Sequence, residues 1–245
     1  MEAAVISVKG RRFKMEDAHF LDLNFADRGW VFGGIYDGHS GRFAAKYASE
    51  NLHQRFLEKL LSDFSPQKAF IETYQAISEE LKKQDSGATA VNCLIKNGEI
   101  FTANVGDARA IVISSKEFHQ LTIDHRLDNF LERQRIEEMG GRIEYPYACR
   151  GSYGLMPTRT LGNQYFKPVG IIATPSVSRY KISKKDLILL AACDGLFDVM
   201  SNEEVADFAR KFSDPNQLVK ALQKEVLDGR DGPDNLTIIA VNLKN

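Results

Sequence analysis

The sequence predicts an α+β fold, an antiparallel β-sandwich of two sheets flanked by pairs of helices in a four-layer αββα arrangement. Three observations carry that expectation. Short apolar, β-branched runs recur along the chain with turn signals between them, which favours antiparallel neighbours. Two blocks of the chain switch instead to helical spacing. Several strand-like runs are apolar at nearly every position, so both of their faces need cover. Two sheets packed together with helices outside them supply it.

Residues 3–8 and 30–36 read as strands, the second a nearly continuous apolar run ending at Asp37. Residues 41–64 change to helical spacing, with Phe43, Ala44, Tyr47, Ala48, Leu52, Phe56, Leu57, Leu60 and Leu61 on one stripe. Ser65-Pro66 ends that helix and opens another, serine as N-cap and proline in the first turn, with Phe70, Tyr74, Ile77 and Leu81 as its stripe. Strands resume at 89–95, 100–105 and 108–113, and Asn97-Gly98 is a hairpin turn signal between the first two. A short helix at 130–139 stops at Gly140-Gly141. Residues 142–171 hold Pro146, Gly151, Gly154, Pro157, Gly162, Pro168 and Gly170 and read as a long irregular excursion, a kind of segment that is often functional in a compact domain. Strands return at 176–180 and 187–192. Ser201 with Glu204 forms a capping-box pattern for a helix to about residue 212, Asp214-Pro215 opens another to about 227, and residues 236–243 are the last strand. No repeat or linker divides the chain, so one domain over 1–245 is expected.

Composition excludes several function classes. The 245 residues carry 32 basic and 33 acidic side chains, a formal net charge of -1, so neither nucleic acid nor an anionic membrane is the expected partner. No apolar run approaches a transmembrane length. Met1-Glu2-Ala3-Ala4 lacks the features of a signal peptide, and Glu2 stands where myristoylation needs glycine. Cys93, Cys149 and Cys193 have neither disulfide-framework nor zinc-site spacing, which favours a reducing cytoplasmic or nuclear setting.

Four acidic clusters carry the chemistry: Met15-Glu16-Asp17, Tyr36-Asp37-Gly38-His39, Cys193-Asp194-Gly195 and Gly232-Pro233-Asp234-Asn235. Three of them adjoin runs that read as buried strands, whose ends meet at one edge of a core. Carboxylates brought together repel and resist desolvation unless a cation neutralises them. A hard divalent ion bound through oxygen is the simplest remedy. Singly, each cluster has a plainer reading: Asp37 and Asp194 as Asp-Gly turns, Asp107 as a hairpin residue, Asp198 as an exposed helix acid, and Glu16 with Asp17 as a solvated charge run. The repeated strand-terminal Asp-Gly shifts the balance towards a site. His39 is suited to proton transfer near neutrality, whereas His19, His53, His119 and His125 have no comparable context. Arg12 offers a planar fork for phosphate, a role for which Arg11 competes on composition alone.

In chain order the motifs are Arg12-x-x-Met15-Glu16-Asp17, Tyr36-Asp37-Gly38-His39-Ser40-Gly41, Ser86-Gly87-Ala88-Thr89-Ala90 and Gly106-Asp107-Ala108-Arg109-Ala110. Asp124-His125, Glu132-x-x-Arg135-Ile136, Thr158-Arg159-Thr160-Leu161-Gly162, Ala192-Cys193-Asp194-Gly195-Leu196-Phe197-Asp198-Val199 and Asp234-Asn235 follow. This ordered set resembles the metal-dependent protein phosphatase family, the type 2C serine/threonine phosphatases.

The resemblance implies the same helix-flanked sandwich, with two Mg²⁺ or Mn²⁺ ions at one end and a weaker third in some members. It implies that Asp37 bridges the two ions, that Glu16 and the Gly38 carbonyl join it at one, and that Asp194 and Asp234 hold the other. Asp107 and Asp198, with Asp194, match the third site. A water or hydroxide bridging the ions is then the nucleophile, Arg12 holds the phosphate and His39 protonates the leaving alkoxide. Residues 142–171 correspond to the family's flap, phosphorylated proteins are the expected partners and a monomer is the expected state. Two motifs depart from the usual pattern. Asp-His-Lys-Pro reads Asp124-His125-Arg126-Leu127, and Ser-Arg-Ala-Leu-Gly-Asp reads Thr158-Arg159-Thr160-Leu161-Gly162-Asn163. Neither removes a metal ligand. The competing classes are a catalytically silent relative acting as a binding module, and a metal-dependent nuclease. Retention of Glu16, Asp37, Asp194 and Asp234 argues against the first, and the missing basic excess against the second.

Overall fold

The computed structural model describes residues 1–244. In chain order its strands are β1 (Ala3–Val8), β2 (Ala18–Phe25), β3 (Trp30–Tyr36), β4 (Gly38–His39), β5 (Gly87–Ala88), β6 (Ala90–Lys96), β7 (Glu99–Val105), β8 (Arg109–Ser114), β9 (Phe118–Gln120), β10 (Arg142–Glu144), β11 (Tyr147–Arg150), β12 (Tyr153–Leu155), β13 (Leu161–Gly162), β14 (Ser176–Lys181), β15 (Asp186–Ala192) and β16 (Leu236–Asn242). The helices are α1 (Phe43–Leu61), α2 (Pro66–Glu80), α3 (Phe130–Glu138), α4 (Asp194–Phe197), α5 (Asn202–Ala209) and α6 (Pro215–Lys224).

Two five-stranded antiparallel sheets, ordered β1-β16-β15-β8-β9 and β14-β7-β6-β3-β2, form the sandwich. Strand alternation explains the unbroken apolar runs, because successive side chains enter different layers. Val31 and Ile35 of β3, Leu189 and Ala191 of β15, and Ile239 and Val241 of β16 meet between the sheets. Phe32 and Tyr36 of β3 point the other way, under α1 and α2, where they join Leu52, Phe56, Phe70 and Ile77. Leu190 and Ile238 face outward onto α5 and α6, against Val205, Leu218 and Leu222. Each such side chain taken fully from water contributes roughly 1.5–3 kcal/mol, so both faces of every central strand are held.

Local signals set the boundaries. Asn97 and Gly98 both take positive φ, 53° and 75°, as the tight β6–β7 turn requires. Ser65 accepts a hydrogen bond from the Lys68 amide at the start of α2, and Ser201 and Glu204 close a full capping box at α5. Asp214 accepts from the Asn216 amide to open α6.

Three expectations need correction. The irregular excursion at 142–171 contains the three-stranded sheet β10-β11-β12 and a 3-10 helix, Gln164–Val169. Strands of three or four residues are too short to show a period, and these three pair with one another through two tight hairpins. β2 adds a strand with no clear signature in the sequence, because its burial is mixed along its length. Phe43 and Leu61, placed on the buried stripe of the first helix, are 50% and 57% exposed, while their neighbours Ala44 and Leu60 are buried, so the buried face of α1 is narrower than the spacing suggests. Among the described residues no helix is long and apolar enough to cross a membrane.

Candidate metal centre

Register brings the acidic clusters together. Tyr36, at the end of β3, pairs with Ala18, at the start of β2, and Val105, at the end of β7, pairs with Ala90, at the start of β6. On the other sheet Ala192, at the end of β15, pairs with Ile238 near the start of β16 and with Arg109 at the start of β8. Val8, ending β1, pairs with Leu236. All the connecting segments that carry Arg12, Glu16, Asp37, Asp107, Asp194 and Asp234 therefore leave the same end of the sandwich. They line one cleft of about 480 Å³, together with Gly38 and His39. Tyr147, Gly154, Leu155, Met156 and Pro157 of the excursion form its far wall.

The backbone around each carboxylate is fixed. The Asp37 carbonyl accepts from the Thr89 amide at 2.9 Å. A Cβ on Gly38 would collide with the Glu16 carbonyl, so only glycine lets these two segments touch. Glu16 Oε1 accepts from the Gly41 amide at 2.8 Å. Gly195 meets the Asn235 carbonyl in the same way, which holds the first turn of α4 against the loop that precedes β16. Asn235 then ties the loop before β2 in place. Its Nδ2 donates to the Lys9 and Lys14 carbonyls at 2.7 and 3.0 Å, and its Oδ1 accepts from the Glu16 amide at 2.9 Å.

These carboxylates are poorly suited to stand together unneutralised. Burial, then the charges of Asp194, Asp17 and Asp107, pushes the Asp37 carboxyl well above its ordinary range. Burial and the neighbouring Asp107, Asp198 and Asp234 raise Asp194 to about 8. Burial raises Asp17 to about 6, although the Thr237 hydroxyl, 2.6 Å from its Oδ2, partly offsets this. Asp17 Oδ1 and Asp194 Oδ1 are buried without any hydrogen-bond partner. Orphaned carboxylate oxygens in an oxygen-rich cluster are what a hard divalent cation satisfies, so the residues present fit such an ion. Carboxylate oxygens of Asp17 and Asp37 and the Cys193 sulfur lie within 4.8 Å of one another. Burial, then the charges of Asp17, Asp37 and Asp194, pushes the Cys193 thiol well above its ordinary range.

Around this cluster stand three cationic or proton-carrying groups. Arg12 Nη2 lies 2.5 Å from Asp234 Oδ2 at the cleft mouth, whereas Arg11 pairs with Asp231. His39 Nε2 is 2.5 Å from Asn163 Oδ1, and burial lowers its pKa. Arg126 reaches the Asp107 and Asp198 carboxylates at 2.6 and 2.8 Å. Asp198 is 49% exposed and faces Arg126.

A sequence profile described as Protein phosphatase 2C matches residues 1–230. The chain belongs to the protein phosphatase 2C family. Protein phosphatase 2C homolog 1 of Saccharomyces cerevisiae is 30% identical over 96% of this chain and 91% of its own length. Probable protein phosphatase 2C 45 of Oryza sativa subsp. japonica is 32% identical over 96% and 85%. The crystal structure of serine-threonine phosphatase 2C from Toxoplasma gondii has the same fold, with a TM-score of 0.86 at 22% identity over 98% of this chain and 94% of that one. Asp234 lies just past the profile match but within the cleft.

In this phosphatase fold the structure also gives positions to residues that the sequence left without a role. Asp17, next to Glu16, is the buried member of that pair, a place visible only once Ala18 is known to open β2. His125 is wholly buried, with Nδ1 3.1 Å from the Gly106 carbonyl and Nε2 2.8 Å from Ser176 Oγ. Burial, helped by the charge of Arg159, takes it down to about 3, so it is a neutral pin for the turn that carries Asp107.

Proposed function

We propose that the chain is a Mg²⁺- or Mn²⁺-dependent protein serine/threonine phosphatase, working in one catalytic domain with residues 142–171 as a flap beside the cleft. The observation that carries this reading is the convergence of Glu16, Asp37, Gly38, Asp194 and Asp234 on one cleft with orphaned carboxylate oxygens, in a protein phosphatase 2C chain. Asp37 with Glu16 and the Gly38 carbonyl would hold one ion, and Asp37 with Asp194 and Asp234 a second. When bound, two such ions supply an acidified water near neutral pH and neutralise phosphate charge.

The chain's own groups do the rest. Water adds to phosphorus as the bond to the serine or threonine oxygen breaks, leaving inorganic phosphate and a free hydroxyl. Arg12, 58% exposed at the cleft mouth, turns its guanidinium from Asp234 to the incoming phosphate oxygens. The departing alkoxide needs a proton, and His39 donates it. Burial makes the protonated ring a stronger acid than a free imidazolium, and Asn163 holds its orientation. A cysteine nucleophile has no support. All three cysteines are buried, and burial pushes Cys93 up to about 12.

Phosphate release from a phosphothreonine peptide in Mn²⁺ or Mg²⁺, repeated with excess chelator, tests this reading. Metal-dependent release is expected. A folded protein that binds the peptide but releases no phosphate in either metal points instead to a binding module.

A further inference from the structure

The family resemblance places a weaker third ion among Asp107, Asp194 and Asp198, but the residues present do not fit one. Arg126 Nε donates to Asp107 Oδ2 at 2.6 Å, and Nη2 donates to Asp198 Oδ1 at 2.8 Å. The same Nη2 lies 3.7 Å from Asp194 Oδ2. The Asp107 side chain is 3% exposed and that of Arg126 26%, so the pair is largely withdrawn from water. One guanidinium thus hydrogen-bonds two of the three carboxylates that a third ion would need and lies within ion-pair distance of the third.

The residue type matters. A lysine ammonium is a compact point charge, whereas the planar guanidinium presents separate donors to separate carboxylates and never loses its charge at ordinary pH. A divalent ion entering here would have to displace those donors and leave the guanidinium beside it, half-buried and unpaired, with two like charges in contact. Resting on the binuclear reading above, we infer that Arg126 is a tethered replacement for the third cation, so that this phosphatase runs on two ions. It also joins three segments that local sequence does not connect: the turn between β7 and β8, the loop after β9, and the end of α4.

Ion counting tests this without reference to activity. Mn²⁺ would be titrated into the metal-free chain by calorimetry, and free Mn²⁺ followed by electron paramagnetic resonance. The wild-type chain is expected to bind two ions, and Asp198→Asn to bind two as well. Arg126→Met, which keeps the apolar stem but removes the charge, is expected to gain a third, weaker ion that is lost again in the Arg126→Met/Asp198→Asn double variant. Three ions in the wild type, falling to two in Asp198→Asn, would overturn the inference alone. So would a folded Arg126→Met chain that still binds two. If Arg126→Met does not fold, the comparison of wild type with Asp198→Asn decides. No bound ion in the wild type would overturn the binuclear reading itself.

Discussion

Asn235 commits both polar atoms of its side chain to the loop that carries Arg12 and Glu16, with three hydrogen bonds of 2.7–3.0 Å. With those atoms so engaged, its effect comes through the position of those two residues. Asn235→Ala is expected to weaken Mn²⁺ affinity and kcat/KM by about 10–100-fold while the fold persists, the usual cost of removing a support behind a metal ligand. Calorimetric Mn²⁺ titration beside steady-state kinetics checks this, and unchanged values in both would remove the positioning role. Asn163 acts on His39 in a different way. Asn163→Asp would put a carboxylate against the imidazole, favouring the charged ring and raising its pKa. In the proposed role His39 acts in its protonated form, so activity in the variant should persist to higher pH than in the wild type. A pH–rate profile of the two proteins reads the shift directly, and a shift to lower pH would count against His39 as the acid.

At the scale of elements, Glu132 shows how α3 is fastened to the segment before β13. Its carboxylate accepts from Arg135 Nη2 at 2.6 Å, Thr158 Oγ1 at 2.8 Å and Arg159 Nη2 at 2.5 Å, with its side chain 2% exposed. Burial alone would raise its pKa, but the hydrogen bonds from Arg135 and Arg159 win and bring it down to about 2 from an ordinary 4.5. A depressed carboxyl stabilises the fold above its unfolded pKa and loses that contribution as pH falls through its folded one. Stability should therefore fall between about pH 4.5 and about pH 2. Glu132→Leu should cost about 3–5 kcal/mol at neutral pH and flatten that acid limb, because it strands two arginines. Urea unfolding at several pH values measures both, and an equally steep acid limb in the variant would contradict the assignment.

The same elements show what the sequence could disclose. β3, β15 and β16 were legible because both of their faces are buried, which writes an unbroken apolar run into the chain. The caps at Ser65 and Ser201 were legible because they act within four residues. β2 was not, since its burial is mixed along its length, and β10 to β12, at three or four residues each, are too short to write a period into the chain. The strand-terminal carboxylates Asp37 and Asp194 could be read as a site, but the pairing of Arg126 with Asp198, 72 residues away, has no local signature.

Across the whole molecule, near-balanced net charge conceals a concentration of acid at one end of the sandwich. The sheets hold those carboxylates close together, so a bound cation that neutralises them is expected to stabilise the fold. Mn²⁺ at a hundredfold over its dissociation constant stabilises a single site by about 2.7 kcal/mol, which for a chain of this size raises Tm by at least about 5 °C. Thermal unfolding with Mn²⁺ and with chelator should show that difference in the wild type and lose most of it in Asp37→Asn. Equal melting in metal and chelator would mean that the acidic end is not a cation site.

The most direct test of the central claim is phosphate release from a phosphothreonine peptide by the wild type and by Asp194→Ala, each in Mn²⁺ and then in chelator. Metal-dependent turnover in the wild type that vanishes in chelator and in the variant is the predicted result. Turnover that survives in folded Asp194→Ala, or that ignores the chelator, would contradict a carboxylate-held metal centre as the seat of catalysis.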